Sequence, residues 1–243
     1  MSKRLRFFIQ HLSLSLLMAL LLLGVVFYFW YPIPLAKAVG VTSIILMLFV
    51  IDIIIGPLLG LLVYKEHKKT LKFDLAVIIL VQISALIYGV FTLEQGRPVW
   101  IVYNVDRFEL VRKNEIIQEN LEKAEPQFKQ VSWLKPQYVM LKTINSAEKR
   151  QEDLFTEVFG GVSLAQMPDR YIAFDRNLIL KSKKILPIKK LYEYNHDSIV
   201  NNVLSKTKKV SGYVPLKGSK IDMTVLLDSE GKPIKIVDLR PWE

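Results

Sequence analysis

Three long apolar stretches near the start of the chain limit what it can fold into more than any other feature. They occupy residues 12–31, 39–64 and 74–93, and Asp52 is the one charged residue inside them, Asp74 standing at the edge of the third. A helix needs about 20 apolar residues to cross a bilayer core of about 30 Å. Each stretch has that length and no later segment does. We therefore predict three transmembrane helices within residues 12–93, after a short tail of residues 1–11.

A secretory signal peptide is the alternative interpretation of the first stretch, because basic residues precede it and residues 36–38 resemble a cleavage site. The stretch is longer than the apolar part of a signal peptide. Five consecutive aromatic residues, 27–31, and two prolines also stand before the supposed cut. Such aromatic residues are typical of a membrane interface. The stretch is better interpreted as a retained span.

The positions of lysine and arginine predict the orientation. Three basic residues lie in the tail and four in the loop between the second and third spans, whereas the loop between the first two spans has only Lys37. Cytoplasmic loops carry the excess of basic residues. We expect a bacterial inner-membrane protein with its N-terminus in the cytoplasm and residues 97–243 in the periplasm.

Residues 97–243 have the mixed pattern of an α+β domain. Strands are predicted at 99–104, 108–111 and 138–144, and a terminal hairpin at 221–227 and 234–239. A helix is predicted at 114–125, with Asn114 as its cap and Pro126 as its stop. Three more helices are predicted, one from Asn145 to the Gly160–Gly161 pair, one at 189–194 and one at 198–204. The first of them has a capping residue at its start and glycines at its end. Without regular βαβ alternation, this order favours α+β.

Composition excludes several kinds of function. The chain has no cysteine, so the domain depends on an apolar core rather than on disulfides. After Leu93 there are 25 basic and 20 acidic residues, a mild excess that does not indicate a nucleic-acid partner. The three histidines are far apart in sequence, and no nucleophile elbow, phosphate loop or zinc motif is present. We predict no catalytic, cofactor-binding or metal-binding residues and no enzyme activity.

Asp52 is the most informative residue in the spans. A carboxyl group at that depth costs about 2.5–3.5 kcal/mol on insertion scales, so it should face protein, water or a partner rather than lipid. Gln82 lies near the middle of the third span and could bond with it. The two interpretations left open are a structural hydrogen bond between spans and a contact with a polar group of another membrane protein.

Small residues near Asp52 predict close helix packing. Pro57 should kink the second span, since it removes a backbone donor. Gly56 with Gly60, and Ala85 with Gly89, are four-residue pairs of the kind that let helices approach closely. They could pack the three spans together or dock a helix from a partner.

A lysine-rich stretch lies between residues 181 and 209. Such a stretch is usually a solvated face. The alternative is contact with anionic membrane lipids or an acidic partner surface.

Several segments in this order resemble the type IV pilin accessory proteins of Gram-negative bacteria, the TfpX/TfpZ or FimB-like group. The segments are residues 52–59, 72–75, Gln82, 88–89, 96–99 (with Arg97), 106–108 and 239–242. The resemblance covers the chain from the second span onward. It implies an inner-membrane accessory protein or chaperone that binds a cognate type IV pilin and promotes pilus assembly, on which twitching motility and natural transformation depend.

From this resemblance and the residues of the spans we form a hypothesis about the partner surfaces. The pilin is a membrane helix with a globular head, and we expect the spans to contact its helix and the periplasmic domain to contact its head. The residues expected to bind the partner are Asp52, Gly56, Pro57, Gly60, Gln82, Ala85, Gly89 and Arg97.

Two other classes of function are considered. A membrane-anchored sensor or regulatory adaptor would need a cytoplasmic part to report to, but only a short tail and one loop are available. A membrane-anchored periplasmic enzyme would need only one span, whereas three spans with a buried Asp52 indicate a role inside the membrane.

Overall fold

The structure is a computed structural model that describes residues 1–142 and 146–242. It divides into two compact units, Met1–Pro32 with Val41–Gly96, and Ile33–Gly40 with Arg97–Glu243. The first is helical and the second contains a β-sheet. The helices are α1 (Lys3–Val25), α2 (Leu35–Val39), α3 (Thr42–Phe49), α4 (Gly56–Val63), α5 (Leu71–Gln95), α6 (Ala147–Gly160), α7 (Arg176–Ser182), α8 (Leu191–Tyr194) and α9 (Asp197–Ser205).

The helical unit consists of three long rods. A π-helical turn, Val26–Trp30, extends α1, and a second, Val50–Ile55, joins α3 to α4. Within the described part of the chain, the helices Lys3–Trp30, Thr42–Val63 and Leu71–Gln95 are long and apolar enough to cross a membrane. We call them the first, second and third spans. The fold class, three transmembrane helices followed by an α+β domain, is confirmed.

The spans differ from the apolar stretches at their ends. The first helix begins at Lys3, where Ser2 caps it by accepting a hydrogen bond from the Leu5 N–H. The second begins at Thr42, because Gly40 has a φ of +73° and ends α2 as a left-handed cap. The first span therefore includes His11, which lies outside the apolar stretch.

The described strands of the α+β unit form one sheet in the order β4-β3-β1-β2-β5-β6-β7. The strands are β1 (Pro98–Asn104), β2 (Arg107–Arg112), β3 (Gln137–Leu141), β4 (Tyr171–Ala173), β5 (Gly212–Lys217), β6 (Met223–Leu227) and β7 (Pro233–Val237). Two pairs, β1–β3 and β2–β5, are parallel, and the other neighbours are antiparallel.

Both faces of the sheet are buried, which explains the nearly continuous apolar runs of β1 and β6. On one face Ile101, Phe108 and Val225 belong to a core that also includes Leu35 and Ala38. The other face has two smaller cores. One contains Trp100, Phe128 and Tyr171, and the other contains Leu191, Val200 and Leu226 from α8, α9 and β6.

Segment 33–40, the link between the first and second spans, is built into the α+β unit. Leu35 and Ala38 are fully buried in its core. The Ala38 carbonyl accepts hydrogen bonds from the N–H groups of Lys220 and Ile221, at 2.8 and 3.2 Å. Lys37 forms an ion pair with Asp238 at 2.5 Å. A short connection in the sequence is thus a structural part of the sheet domain.

Most predicted elements of this unit are present. The strands at 99–104 and 108–111, the terminal hairpin and the helices near 189–194 and 198–204 are confirmed. The helix before Gly160–Gly161 is also present, and Gly161 ends it with a φ of +64°. Asn145, its predicted cap, and Ile144, the predicted end of a strand, lie outside the described residues.

The predicted helix at 114–125 is wrong. The segment contains only the 3₁₀ turns Lys113–Glu115 and Leu121–Lys123. The Ile117 N–H donates to the Gln166 carbonyl at 2.9 Å rather than to a carbonyl one helical turn earlier. Ala124 is buried in the core beside Trp100. The apolar residues of this segment contact the core from an irregular chain, because tertiary contacts replace the helical hydrogen bonds.

Candidate functional site

The backbone around Asp52 forms a π-helical turn, and the proline that follows it leaves one carbonyl without a backbone donor. In the π-helical turn the Gly56 N–H bonds to the Ile51 carbonyl instead of the Asp52 carbonyl. The next residue, Pro57, has no N–H to offer. The Asp52 carbonyl therefore lacks a donor from its own helix, and Nε2 of Gln82 donates to it at 3.3 Å. The expected bond between Asp52 and Gln82 exists, but it uses the backbone oxygen of Asp52 and not its carboxyl group.

The small residues pack the spans against one another. A Cβ on Gly56 would lie 1.7 Å from Nε2 of Gln82, and one on Gly60 would lie 3.0 Å from the Phe7 ring. A Cβ on Gly89 would lie 2.1 Å from Cδ2 of Leu48. Each glycine thus faces a side chain of this chain, on another span. Packing within the unit, one of the two interpretations of these pairs, accounts for all three positions.

A groove of about 300 Å³ lies beside Asp52 and is lined by all three spans. The first span contributes His11, Leu14, Ser15 and Met18, and the third contributes Ile79, Gln82, Ile83 and Leu86. Both sets have the i, i+3, i+4, i+7 spacing of one helix face. Each wall is thus two helical turns long, about 10 Å. Asp52 lies between the walls.

The groove combines an apolar rim with a carboxyl group that has no partner. Leu14, Met18 and Ile83 are exposed on the surface of the helical unit. The side chains of Gln82 and His11 are close enough to interact with each other, although Oε1 of Gln82 and Nδ1 of His11 form no hydrogen bond of standard geometry with the described residues. The carboxyl group of Asp52 has no hydrogen bond or ion pair in that same part of the structure. Nor do the described residues contain a group of three or more acidic or histidine side chains that could hold a metal ion.

His11 and Ser15 are groove residues that sequence reasoning missed. The apolar stretch that predicts the first span begins at residue 12, which leaves His11 in the tail. The spacing of His11 and Ser15, one turn apart on the face that also carries Met18, is a signal that could have found them.

The remaining expected partner-binding residues lie elsewhere. Ala85 is half-buried on the third span and does not line the groove. Arg97 belongs to the α+β unit, where it is only 1% exposed and donates to the Leu134 carbonyl at 3.4 Å. The structure therefore brings Asp52, Gln82 and the glycine face together and leaves Arg97 inside a domain core.

Helix α6 of the α+β unit presents an apolar face to solvent. Phe155, Val158 and Phe159 are all more than half exposed, and the two phenylalanine rings stack at 4.7 Å. The acidic side of the helix is the one that is anchored. Asp153 is buried and pairs with Arg170 at 2.7 Å. This arrangement is the reverse of an ordinary surface helix, whose apolar side faces the core.

The lysine-rich stretch is exposed. The eight lysines between residues 181 and 209 all lie on the surface, which is compatible both with a solvated face and with contact with anionic lipids or an acidic partner. They are Lys181, Lys183, Lys184, Lys189, Lys190, Lys206, Lys208 and Lys209.

Comparison with known proteins gives one consistent family. The family model for the fimbrial assembly protein FimB matches residues 1–40. A serogroup I fimbrial assembly protein of Dichelobacter nodosus is 32% identical over 180 residues, 73% of this chain and 70% of that protein. The serogroup E1 protein of the same organism is 27% identical over 242 residues, covering 96% of this chain and 94% of its own. A third, from serogroups C1 and C2 of that organism, is 34% identical over 116 residues, which is 47% of this chain and 88% of that protein.

No solved structure matches this chain significantly. The relatives, however, share with it far more than the region of the family model, since the serogroup E1 protein aligns along nearly the whole length. The resemblance noted from the sequence is therefore confirmed, and the chain belongs to the FimB family of fimbrial assembly proteins.

Proposed function

We propose that this protein is an inner-membrane accessory protein that binds a cognate type IV pilin and promotes its assembly into a pilus. It holds the pilin before assembly, as a chaperone would, and carries out no catalysis. Its relatives are named as assembly proteins rather than as enzymes, which supports a role in assembly.

The observation that carries the proposal is the unfilled polar groove at Asp52. A group without partners at this depth is expensive in lipid and marks a functional contact in most membrane proteins. A pilin that waits in the membrane offers a helix to meet it. In this proposal Asp52 and Gln82 face the pilin helix, while Gly56 and Gly60 support the groove from behind.

The exposed face of α6 supports a second contact, outside the membrane. An apolar patch that the domain leaves uncovered indicates a protein-binding site. We assign Phe155, Val158 and Phe159 to contact with the pilin head. This assignment requires the α+β domain to be periplasmic, as the positive-inside rule predicts.

Deletion of the gene tests the proposal directly. Without the protein we expect pilin abundance and surface piliation to fall, because unbound pilin is degraded before assembly. Immunoblotting of whole cells and of sheared pili measures both quantities. The full-length tagged protein should also retain the pilin when it is purified in mild detergent. Unchanged piliation together with no retained pilin would contradict the proposed function.

A further inference from the structure

The shape of the groove matches a helix rather than a small molecule. Its two walls are single helix faces of the first and third spans, each two turns long, and they flank Asp52 of the second span. Two helices and a polar floor make the kind of surface into which a third helix packs lengthwise. The apolar rim, with Leu14, Met18 and Ile83 exposed, is the side from which a helix in the bilayer would enter.

The chemistry of the groove specifies what that helix must bring. The Asp52 carboxyl group has no hydrogen bond or ion pair in the described structure, whereas the side chains of Gln82 and His11 lie close enough to interact with each other. A carboxyl group accepts a hydrogen bond through at least one oxygen. Asp52 therefore lacks a hydrogen-bond donor.

Lipid cannot supply that donor. Acyl chains have no polar hydrogens, and the amines of lipid headgroups lie at the membrane surface rather than at the depth of the mid-span residue Asp52. In the described structure neither the Gln82 amide, which donates to the Asp52 carbonyl, nor the Ser15 hydroxyl in the same groove donates to the Asp52 carboxyl group. A polar group on another transmembrane segment would supply the donor.

We infer that the groove formed by His11, Ser15, Asp52 and Gln82 receives a transmembrane helix of the partner that carries an amino or hydroxyl group, which donates to the Asp52 carboxyl group. This inference rests on the proposed function, since it identifies the helix as that of the pilin. It adds to that proposal the surface that is used and the chemistry of recognition.

Site-specific photo-crosslinking tests the surface. A photoreactive phenylalanine analogue at Leu14 or Ile83 in the full-length protein, expressed with its pilin, should crosslink to the pilin helix. The matched controls are Leu16 and Val81, which are exposed on the opposite faces of the same two spans and do not line the groove. We expect at least about tenfold more pilin adduct from the groove positions. Equal yields, or adducts only with lipid or with a second copy of this chain, would overturn the assignment.

Substitutions test the chemistry. Asp52→Leu should reduce the adduct from position 14 about tenfold, and Asp52→Asn, which keeps an acceptor oxygen, should reduce it less. Mass spectrometry of the adduct should find an amino or hydroxyl group within one helical turn of the crosslinked pilin residue. An unreduced adduct in Asp52→Leu, or an attachment site surrounded only by apolar residues, would contradict a donor.

A bulky substitution in the groove tests the inference even if the Asp52→Leu variant does not fold. Leu14→Trp should fill the groove and release the pilin, while Leu16→Trp, on the opposite face of the first span, should not. Pilin that is retained by Leu14→Trp would overturn the inference. If the unsubstituted protein does not retain pilin at all, the proposed function itself fails. Retention with crosslinks only outside the groove removes the groove assignment alone.

Discussion

The roles of Pro57 and Gln82 are visible only in the three-dimensional structure. Because Pro57 cannot donate a hydrogen bond, the Asp52 carbonyl is left for the side chain of Gln82. Gln82 in turn needs room, and Gly56 provides it by having no Cβ. These residues are separated by up to 30 positions in the sequence, yet the hydrogen bond between Gln82 and the Asp52 carbonyl depends on both Pro57 and Gly56. The sequence shows that each of them is unusual in a transmembrane helix, but it does not show what each one does.

We predict that Gly56→Ala destabilises the helical unit. The new methyl group would lie 1.7 Å from Nε2 of Gln82, so the amide must move away from the Asp52 carbonyl. Overpacking of this kind costs roughly 1–3 kcal/mol. The matched control is Gly24→Ala, where no atom lies within 4 Å of the added Cβ.

Thermal unfolding of the purified protein in detergent measures this difference. Gly56→Ala should melt several degrees below the unsubstituted protein, whereas Gly24→Ala should be neutral or slightly more stable, because alanine favours helix over glycine. If the two variants melt at the same temperature, Gln82 does not depend on Gly56 for its position.

At the scale of elements, sequence patterns predicted the strands whose residues alternate or form apolar runs with clear turns, such as β1, β2 and β6. Strand β5 was not predicted, and its sequence is unusual for an interior strand because it contains Pro215. Here β5 pairs with β6 along its length. On its other side it bonds to Leu186 at Tyr213 and to β2 only from Leu216. Pro215 falls between those two partners, where no donor is needed.

Helix α6 illustrates a different limit of sequence patterns. The helix was predicted from its end signals, but such signals cannot say whether its apolar residues face inward or outward. The Asp153–Arg170 ion pair decides the question, since it fixes the acidic face against the domain. The groove could not be predicted from the sequence for a similar reason. Whether His11, Asp52 and Gln82 converge depends on how the three helices are rotated about their axes.

We predict that Val158→Ser weakens binding of the pilin head without weakening the fold. Val158 is exposed, so its replacement removes apolar contact with the partner only. That loss is about 1 kcal/mol, or roughly fivefold in affinity. Val105→Ser is the matched control, because Val105 is exposed to the same degree in the β1–β2 turn.

Retention of pilin by the purified full-length variants measures the effect, and thermal unfolding monitors the fold. Reduced retention in Val158→Ser with an unchanged melting temperature supports the contact. If both valine variants retain pilin equally well, α6 does not form the contact with the head.

At the scale of the whole molecule, the placement of segment 33–40 restricts the topology. Leu35 and Ala38 are in the same core as Ile101 and Val225, so the link between the first two spans is on the same side of the membrane as the sheet domain. If every span crosses the bilayer, the tail and the loop between the second and third spans are both on the opposite side. These are the segments that carry seven of the basic residues. Core packing and charge distribution thus give the same arrangement by independent reasoning.

We predict that a cysteine at Lys183 reacts with a membrane-impermeant maleimide in intact cells, whereas a cysteine at Lys69 reacts only after the inner membrane is permeabilised. Both lysines are exposed, and the chain has no other cysteine to confuse the labelling. The result follows from the positive-inside rule, which puts the loop containing Lys69 in the cytoplasm and the domain containing Lys183 in the periplasm. Denatured samples of both variants should label fully and serve as the control. The opposite pattern would place the α+β domain in the cytoplasm, where it could not meet the head of a pilin. Equal labelling of both variants would mean that the third span does not cross the membrane, because it alone lies between the two positions.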